Sequence, residues 1–396
     1  MHRKNNKTLL LSSLLLAFVV SELLVRQSLP QIGLALHEDA LLGWSSEEFQ
    51  NFRPTPKPED TKRVLFLGDS FLAGSGLDNL EQRFPDLLNK HMGANTEIKT
   101  LASGAWGTDQ ELLAYLLKGR DWQPDLVVLA FCANNDISNI LSNQHGTLPH
   151  KSYFVLKADD SLQLYNGQGK PLNLLNFAKA DTPQSKTKNQ SYAFNLLSYH
   201  FKNAFFKQPE SKDIDFSKVD PRYLHFKFWQ EKPEELYQQQ NPLSWTPHLG
   251  VNHVSAYIHE DFALNAYQWR LVKALLSEFK AEVEADGGKL ALLLLPVIFN
   301  PRDLSTVVGG TFKHQYHTAK GPFTFHADEP QQRLQKITQD LDIPLIDPSA
   351  AFIDAVENNH TIESIWSSPS DRHFNALGHR ILSNKIDKNI KTLIKK

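Results

Sequence analysis

Val64-Leu65-Phe66-Leu67-Gly68-Asp69-Ser70 is the stretch on which the fold turns. Four apolar residues in succession, closed by a glycine and two residues that favour helix starts, read as a strand buried on both faces that runs into a tight turn. A strand of that kind belongs in a parallel sheet covered by helices on both sides. The pattern returns at Leu126–Phe131 after Pro124-Asp125, at 290–295 before Pro296, and more briefly at 343–346 before Asp347-Pro348. Helical patterns lie between these runs. One covers 110–117, and a longer one places Trp269, Val272, Leu276, Phe279 and Val283 at spacings of three and four until Gly287-Gly288 stops it. Strands alternating with helices predict an α/β fold, a three-layer α/β/α arrangement with a mainly parallel sheet and right-handed crossovers. Functional residues are then expected at the carboxyl ends of the strands.

Working outward, residues 62–139 and 262–396 read as two parts of one domain, separated by an insertion or cap at 140–261. The insertion is rich in aromatics, Asn, Gln and Lys and shows no clear apolar strand. Its Phe226, Phe228, Trp229 and Trp245 read as the core of a small subdomain more readily than as a carbohydrate groove. Residues 27–61, with Pro54, Pro56 and Pro58, read as an extended spacer. At the start, Arg3, Lys4 and Lys7 precede an apolar stretch at 8–25 in which only Glu22 is charged. About 18 residues make a helix of roughly 27 Å, near the minimum for a bilayer. Residues 1–26 are therefore expected to be a cytoplasmic tail and an uncleaved signal-anchor, which puts the body on the exported, periplasmic side of the inner membrane. A cleaved secretory signal is the alternative: no strong small-x-small site follows the run, although Val19-Val20-Ser21 could be tolerated.

The chain has 396 residues, 42 of them basic and 44 acidic, for a net charge of −2. That balance gives no electrostatic reason to expect nucleic acid as a partner. With 41% hydrophobic residues there is ample material for a core, and disorder or a coiled coil is excluded. The single cysteine, Cys132, permits neither an intrachain disulfide nor a Cys-x-x-Cys site and reads as a small core residue.

A serine at a strand-to-helix turn, such as Ser70, exposes its hydroxyl above the sheet, though serine is equally a good helix cap. Asp371-Arg372-His373 supplies an acid and a base on one face of an extended segment, so Asp371 can orient His373 toward a serine. The other reading is a surface pair ahead of a helix capped by Asn375. Asn134-Asn135-Asp136 stands where a strand ends, and Ser103-Gly104-Ala105-Trp106-Gly107-Thr108 offers flexible backbone; both can donate to an oxyanion, and both are common in turns.

Taken in order, these four blocks resemble the SGNH family, also called GDSL hydrolases, from about Arg63 to the C-terminus apart from the insertion. The resemblance implies that Ser70 is the nucleophile, His373 the general base and Asp371 its orienting acid. It further implies an oxyanion hole formed by the Ser70 N–H, the Gly104 N–H and the Asn135 amide. Four features depart from the usual pattern: Ala133 replaces a glycine, the acid stands two rather than three residues before the histidine, the doubled Asn134-Asn135 leaves two registers of which the following Asp136 favours Asn135, and the glycine block admits Ala105 or Gly107 beside Gly104 as donor. Leu42-Gly43-Trp44 and Gly107-Thr108-Asp109-Gln110-Glu111-Leu112 look like the membrane-tethered bacterial branch, some relatives of which modify exported polysaccharides.

The expected activity is a serine ester hydrolase that cleaves an acyl, in particular acetyl, ester on an exported substrate such as a polysaccharide. An O-acetyltransferase served by a membrane acyl-donor protein is the alternative, followed by a non-catalytic glycan-binding module. No cofactor is implied. No metal is assigned, because His314 and His317, or His253 and His259, lack a third ligand at convincing spacing. Asp347, at another strand end, is a spare acid candidate.

Overall fold

The computed structural model describes residues 20, 36–141, 143, 145, 148–157, 159–174, 255–259, 263–297, 326–358, 361–367 and 373–395. The chain opens with an antiparallel hairpin, β1 (Leu36–Asp39) and β2 (Gly43–Ser46), then α1 (Glu47–Asn51). There follow β3 (Lys62–Gly68), α2 (Ser70–Ala73), α3 (Phe84–His91), β4 (Thr96–Ala102), α4 (Thr108–Ala114), β5 (Leu126–Phe131) and α5 (Ala133–Asn139). A small antiparallel sheet of β6 (Tyr153–Leu156), β7 (Leu162–Tyr165) and β8 (Pro171–Leu172) comes next. The chain then supplies α6 (Ala263–Ala285), β9 (Lys289–Leu294), α7 (Glu329–Asp340), β10 (Leu345–Ile346), α8 (Ser349–Asn358) and α9 (Ala376–Leu393).

The main sheet runs β10-β9-β5-β3-β4, and every neighbouring pair is parallel. Since β4 lies on one side of β3 and β5 on the other, the connections leave in opposite directions, and the crevice at the carboxyl ends of β3 and β5 is where such sheets place ligands. Period-two alternation divides the strand side chains between two cores. Leu65, Leu67, Val127, Leu129 and Leu292 pack with Leu112 of α4 and Phe279 of α6. Val64, Phe66, Val128, Ala130 and Leu293 pack with Leu88 of α3 and Ile386 of α9. This is the expected three-layer α/β/α arrangement. Full burial of a residue such as Phe66 contributes about 1.5–3 kcal/mol.

Two expectations are corrected. Residues 36–52 are not spacer: Leu42, Trp44, Phe49 and Phe52 are buried in the first core, and the Phe49 ring meets the Trp106 edge at 5.4 Å. The hairpin turn closes because Asp39 Oδ1 accepts from the Leu41 and Leu42 N–H groups at 2.9 and 2.8 Å. The proline-rich run after it is a belt against the body. Its Thr55 and Pro56 carbonyls accept from the guanidinium of Arg63, which is itself fully buried. Within the insertion, β6 is a buried strand, although 140–261 reads as lacking one; the aromatics at 226, 228, 229 and 245 lie outside the described residues. The anchor expected at 1–26 also lies outside them apart from Val20. Among the described residues no helix is long and apolar enough to cross a membrane.

Candidate active site

The β3–α2 turn is made tight by Gly68, where a Cβ would lie 3.0 Å from Leu72 and 3.2 Å from Ala130. Asp69 caps α2, its Oδ1 accepting from the Phe71 N–H at 2.9 Å. Ser70 is thus the first residue of the helix rather than its cap, and its N–H has no acceptor within the helix. His373 Nε2 lies 2.7 Å from Ser70 Oγ, although 303 positions separate the two in sequence.

Several contacts hold the imidazole there. Its backbone carbonyl accepts from the Ser367 N–H at 2.8 Å, and the neighbouring Phe374 stacks on Trp366 at 5.4 Å while meeting Phe71 edge-on at 5.0 Å. The Phe71 ring centre is 4.8 Å from that of His373. Gly76, at φ +88°, packs beneath; a Cβ there would come within 2.8 Å of Ser367 Cβ and 3.2 Å of His373 Cβ. Asn375 caps α9, accepting from Leu377 and Gly378 N–H. The expected cap is thus Asn375, while His373, two residues before it, faces Ser70. Asp371 lies outside the described residues.

Of the paired asparagines, Asn135 is the one that reaches the residue preceding Ser70: its Nδ2 donates to Asp69 Oδ2 at 2.6 Å. Asn134 Oδ1 instead accepts from the Tyr257 hydroxyl at 2.6 Å. Gly104 sits in the turn after β4, the strand next to β3, in which the Trp106 N–H donates to the Ser103 carbonyl at 3.2 Å. The left-handed residue of that turn is Ala105, φ +59°, so it is not the glycine that supplies the unusual backbone.

The two motifs that suggested a tethered branch interlock around this turn. Trp44 Nε1 donates to the Gly104 carbonyl and Trp106 Nε1 to the Trp44 carbonyl, both at 2.9 Å, while Gln110 Nε2 donates to the Leu42 carbonyl at 2.8 Å. These bonds fix the turn that holds Gly104.

No family model and no curated protein matches the sequence. Solved structures similar to it include a two-domain esterase active on acetylated mannans, at 9% identity and TM-score 0.37, over 85% of this chain and 50% of that one. This chain spans about half the length of that relative. Others are an acetyl xylan esterase, at 13% identity and TM-score 0.38 over 83% of this chain and 99% of that one, and a carbohydrate acetylesterase family member from Sinorhizobium meliloti, at 11% identity and TM-score 0.34 over 85% of this chain and 100% of that one.

A buried carboxyl group cluster, unmarked by any single motif, lies behind the site. Asp136 Oδ2 accepts from the Cys132 N–H at 2.6 Å and Oδ1 from the Thr108 hydroxyl at 3.0 Å. Burial, then the charge of Asp69, pushes Asp136 well above the usual carboxylate range. Burial, then the charges of Asp136 and Asp69, does the same to Glu111. Asp69 is raised by burial too, against the pull of the Phe71 N–H, the Asn135 amide and His373. Further back, Asp109 pairs with the buried Lys151. Cys132 is a core thiol pushed up by burial, and Asp347 Oδ1 accepts from the Ser349 N–H at 2.9 Å at the start of α8.

The second histidine of the C-terminal block, His379, is structural. It is fully buried, stacks on Phe84 at 5.9 Å, and its Nδ1 accepts from the Phe84 N–H at 3.3 Å. Burial first, then the charges of Arg83 and His373, lowers its pKa from 6.5 to about 3. The folded value lies below the unfolded one, so the contribution of this group is fully present above pH 6.5 and is lost as pH falls toward 3. The slope is at most about 1.4 kcal/mol per pH unit. In urea melts across that window His379→Gln, which is neutral and keeps an acceptor, is expected to show a shallower loss of stability; parallel slopes would assign the acid sensitivity to other groups.

Chemically, the arrangement presents a hydroxyl to an imidazole at hydrogen-bond distance, beside an amide donor and a helix-start N–H. It can pass the Ser70 proton to His373 as the oxygen attacks a carbonyl carbon, and offer donors to the oxyanion that forms.

Proposed function

We propose that the protein is a serine ester hydrolase of the SGNH type, working through an acyl-serine at Ser70. The observation that carries this reading is the 2.7 Å approach of His373 Nε2 to Ser70 Oγ at the carboxyl edge of the sheet. His373 deprotonates Ser70, Asp371 orients His373, and the Ser70 N–H, Gly104 N–H and Asn135 amide hold the developing oxyanion. The alcohol leaves with the proton from His373, and water, activated by the same base, releases the acid.

The acyl group is acetyl and the alcohol a hydroxyl of an exported polysaccharide. This part of the proposal rests on the resemblance of 42–44 and 107–112 to the tethered branch, and the reading of 1–26 as a cytoplasmic tail and signal-anchor supports a periplasmic body. The experiment is incubation with an acetylated oligosaccharide beside its deacetylated counterpart, with acetate and both sugars followed by mass spectrometry. Free acetate is expected, with no acetyl gained by the bare sugar. Acetyl appearing on the acceptor would make the enzyme a transferase, and an unchanged substrate would overturn the acetyl-glycan assignment.

A further inference from the structure

Apart from the Ser70–His373 pair, His259, His326 just before α7 and Glu329 at its start converge. His259 Nδ1 is 2.9 Å and His326 Nδ1 3.8 Å from the same oxygen, Glu329 Oε2, and the two imidazole centres are 4.7 Å apart. The other carboxylate oxygen, Oε1, accepts from Arg333 Nε at 2.7 Å, which leaves Oε2 turned to the imidazoles. Glu329 is buried at 5% side-chain exposure, whereas the histidines are open to solvent at 56% and 40%. Bonds to backbone carbonyls hold the ligand-bearing segments in place: the His326 N–H donates to the Tyr257 carbonyl and the Arg333 guanidinium to the His259 carbonyl, each at 2.9 Å.

The three ligand atoms all lie within 4.8 Å of one another. Bonds of about 2.0–2.2 Å in a tetrahedral zinc site put ligand atoms roughly 3.4 Å apart, between the two distances to Glu329 Oε2, so modest imidazole rotations would close the set. Two imidazole nitrogens and one carboxylate oxygen suit zinc, cobalt or nickel and not calcium or magnesium, which prefer all-oxygen sites. An Arg on the far carboxylate oxygen is the kind of outer hydrogen bond that orients a metal-binding carboxylate.

We propose that His259, His326 and Glu329 bind a divalent first-row transition ion of the zinc type, with a water completing the coordination. The ion clips segment 255–259 to α7. Because the Tyr257 hydroxyl donates to Asn134, the clip also steadies the residue next to Asn135.

The test is calorimetric titration of the chelator-stripped full chain with Zn²⁺, with Co²⁺ absorption in the visible as a probe of geometry. One ion per chain with micromolar affinity or tighter is expected, together with an intense tetrahedral Co²⁺ spectrum. His259→Ala and His326→Ala, each altering an exposed side chain, should weaken Zn²⁺ by at least about tenfold without moving the metal-free Tm. No binding would overturn the proposal and leave an imidazole–carboxylate ion pair. Affinity unchanged in both variants would place the ion elsewhere among the 16 histidines and overturn it equally.

Discussion

Ser70→Ala is expected to lower kcat on a nitrophenyl acetate ester by about ten-thousand- to million-fold, with KM within a few-fold of the parent. The substitution removes one oxygen from a residue that is 6% exposed, and the cap of α2 belongs to Asp69, so Tm should be unchanged. This separates the two readings of the serine. A capping serine costs about 1 kcal/mol of stability on removal and would leave turnover intact. Steady-state kinetics beside a thermal melt decides the matter: loss of turnover in a fully folded variant supports the nucleophile, and retained turnover removes it.

The second large effect is at Asn135. Asn135→Ala is expected to reduce kcat by about a hundred- to thousand-fold at nearly constant KM, the cost of losing one donor aimed at an oxyanion. Its neighbour is the control. Asn134 is bound to Tyr257 and not to Asp69, so Asn134→Ala should leave kcat within about tenfold of the parent, well short of what removal of an oxyanion donor costs. Equal losses in the two variants would mean that the register of the doubled asparagine is wrong, or that neither amide meets the oxyanion. A raised KM with unaltered kcat would place Asn135 in substrate binding alone.

The physics of burial explains what could be read in advance. β3, β5 and β9 are covered on both faces, and their unbroken apolar runs are visible without coordinates. β4 lies at the sheet edge and carries Thr96, Glu97, Lys99 and Thr100 among its seven residues, so no such run marks it. The hairpin at 36–46 escapes notice because Leu42, Trp44, Phe49 and Phe52 are spaced by a turn and a short helix, and only tertiary packing unites them. Ser70, His373 and Asn135 are readable because each stands at a strand end or beside a helix cap, where local grammar is strong. The two asparagines differ in their partners, Asp69 for Asn135 and Tyr257 for Asn134, which no pattern along the chain shows. The cluster of Asp69, Glu111 and Asp136 draws on three separate connections, and no spacing along the chain announces it.

The most direct test of the central claim is to treat the protein with a diethyl nitrophenyl phosphate, which a triad serine attacks, and to locate the adduct by peptide mass spectrometry. The account predicts one phosphoryl group per chain, on Ser70, formed in step with loss of esterase activity, and formed far more slowly in His373→Ala because the base is missing. An unmodified Ser70, an adduct on a different serine, or labelling that proceeds as fast without His373 would contradict it.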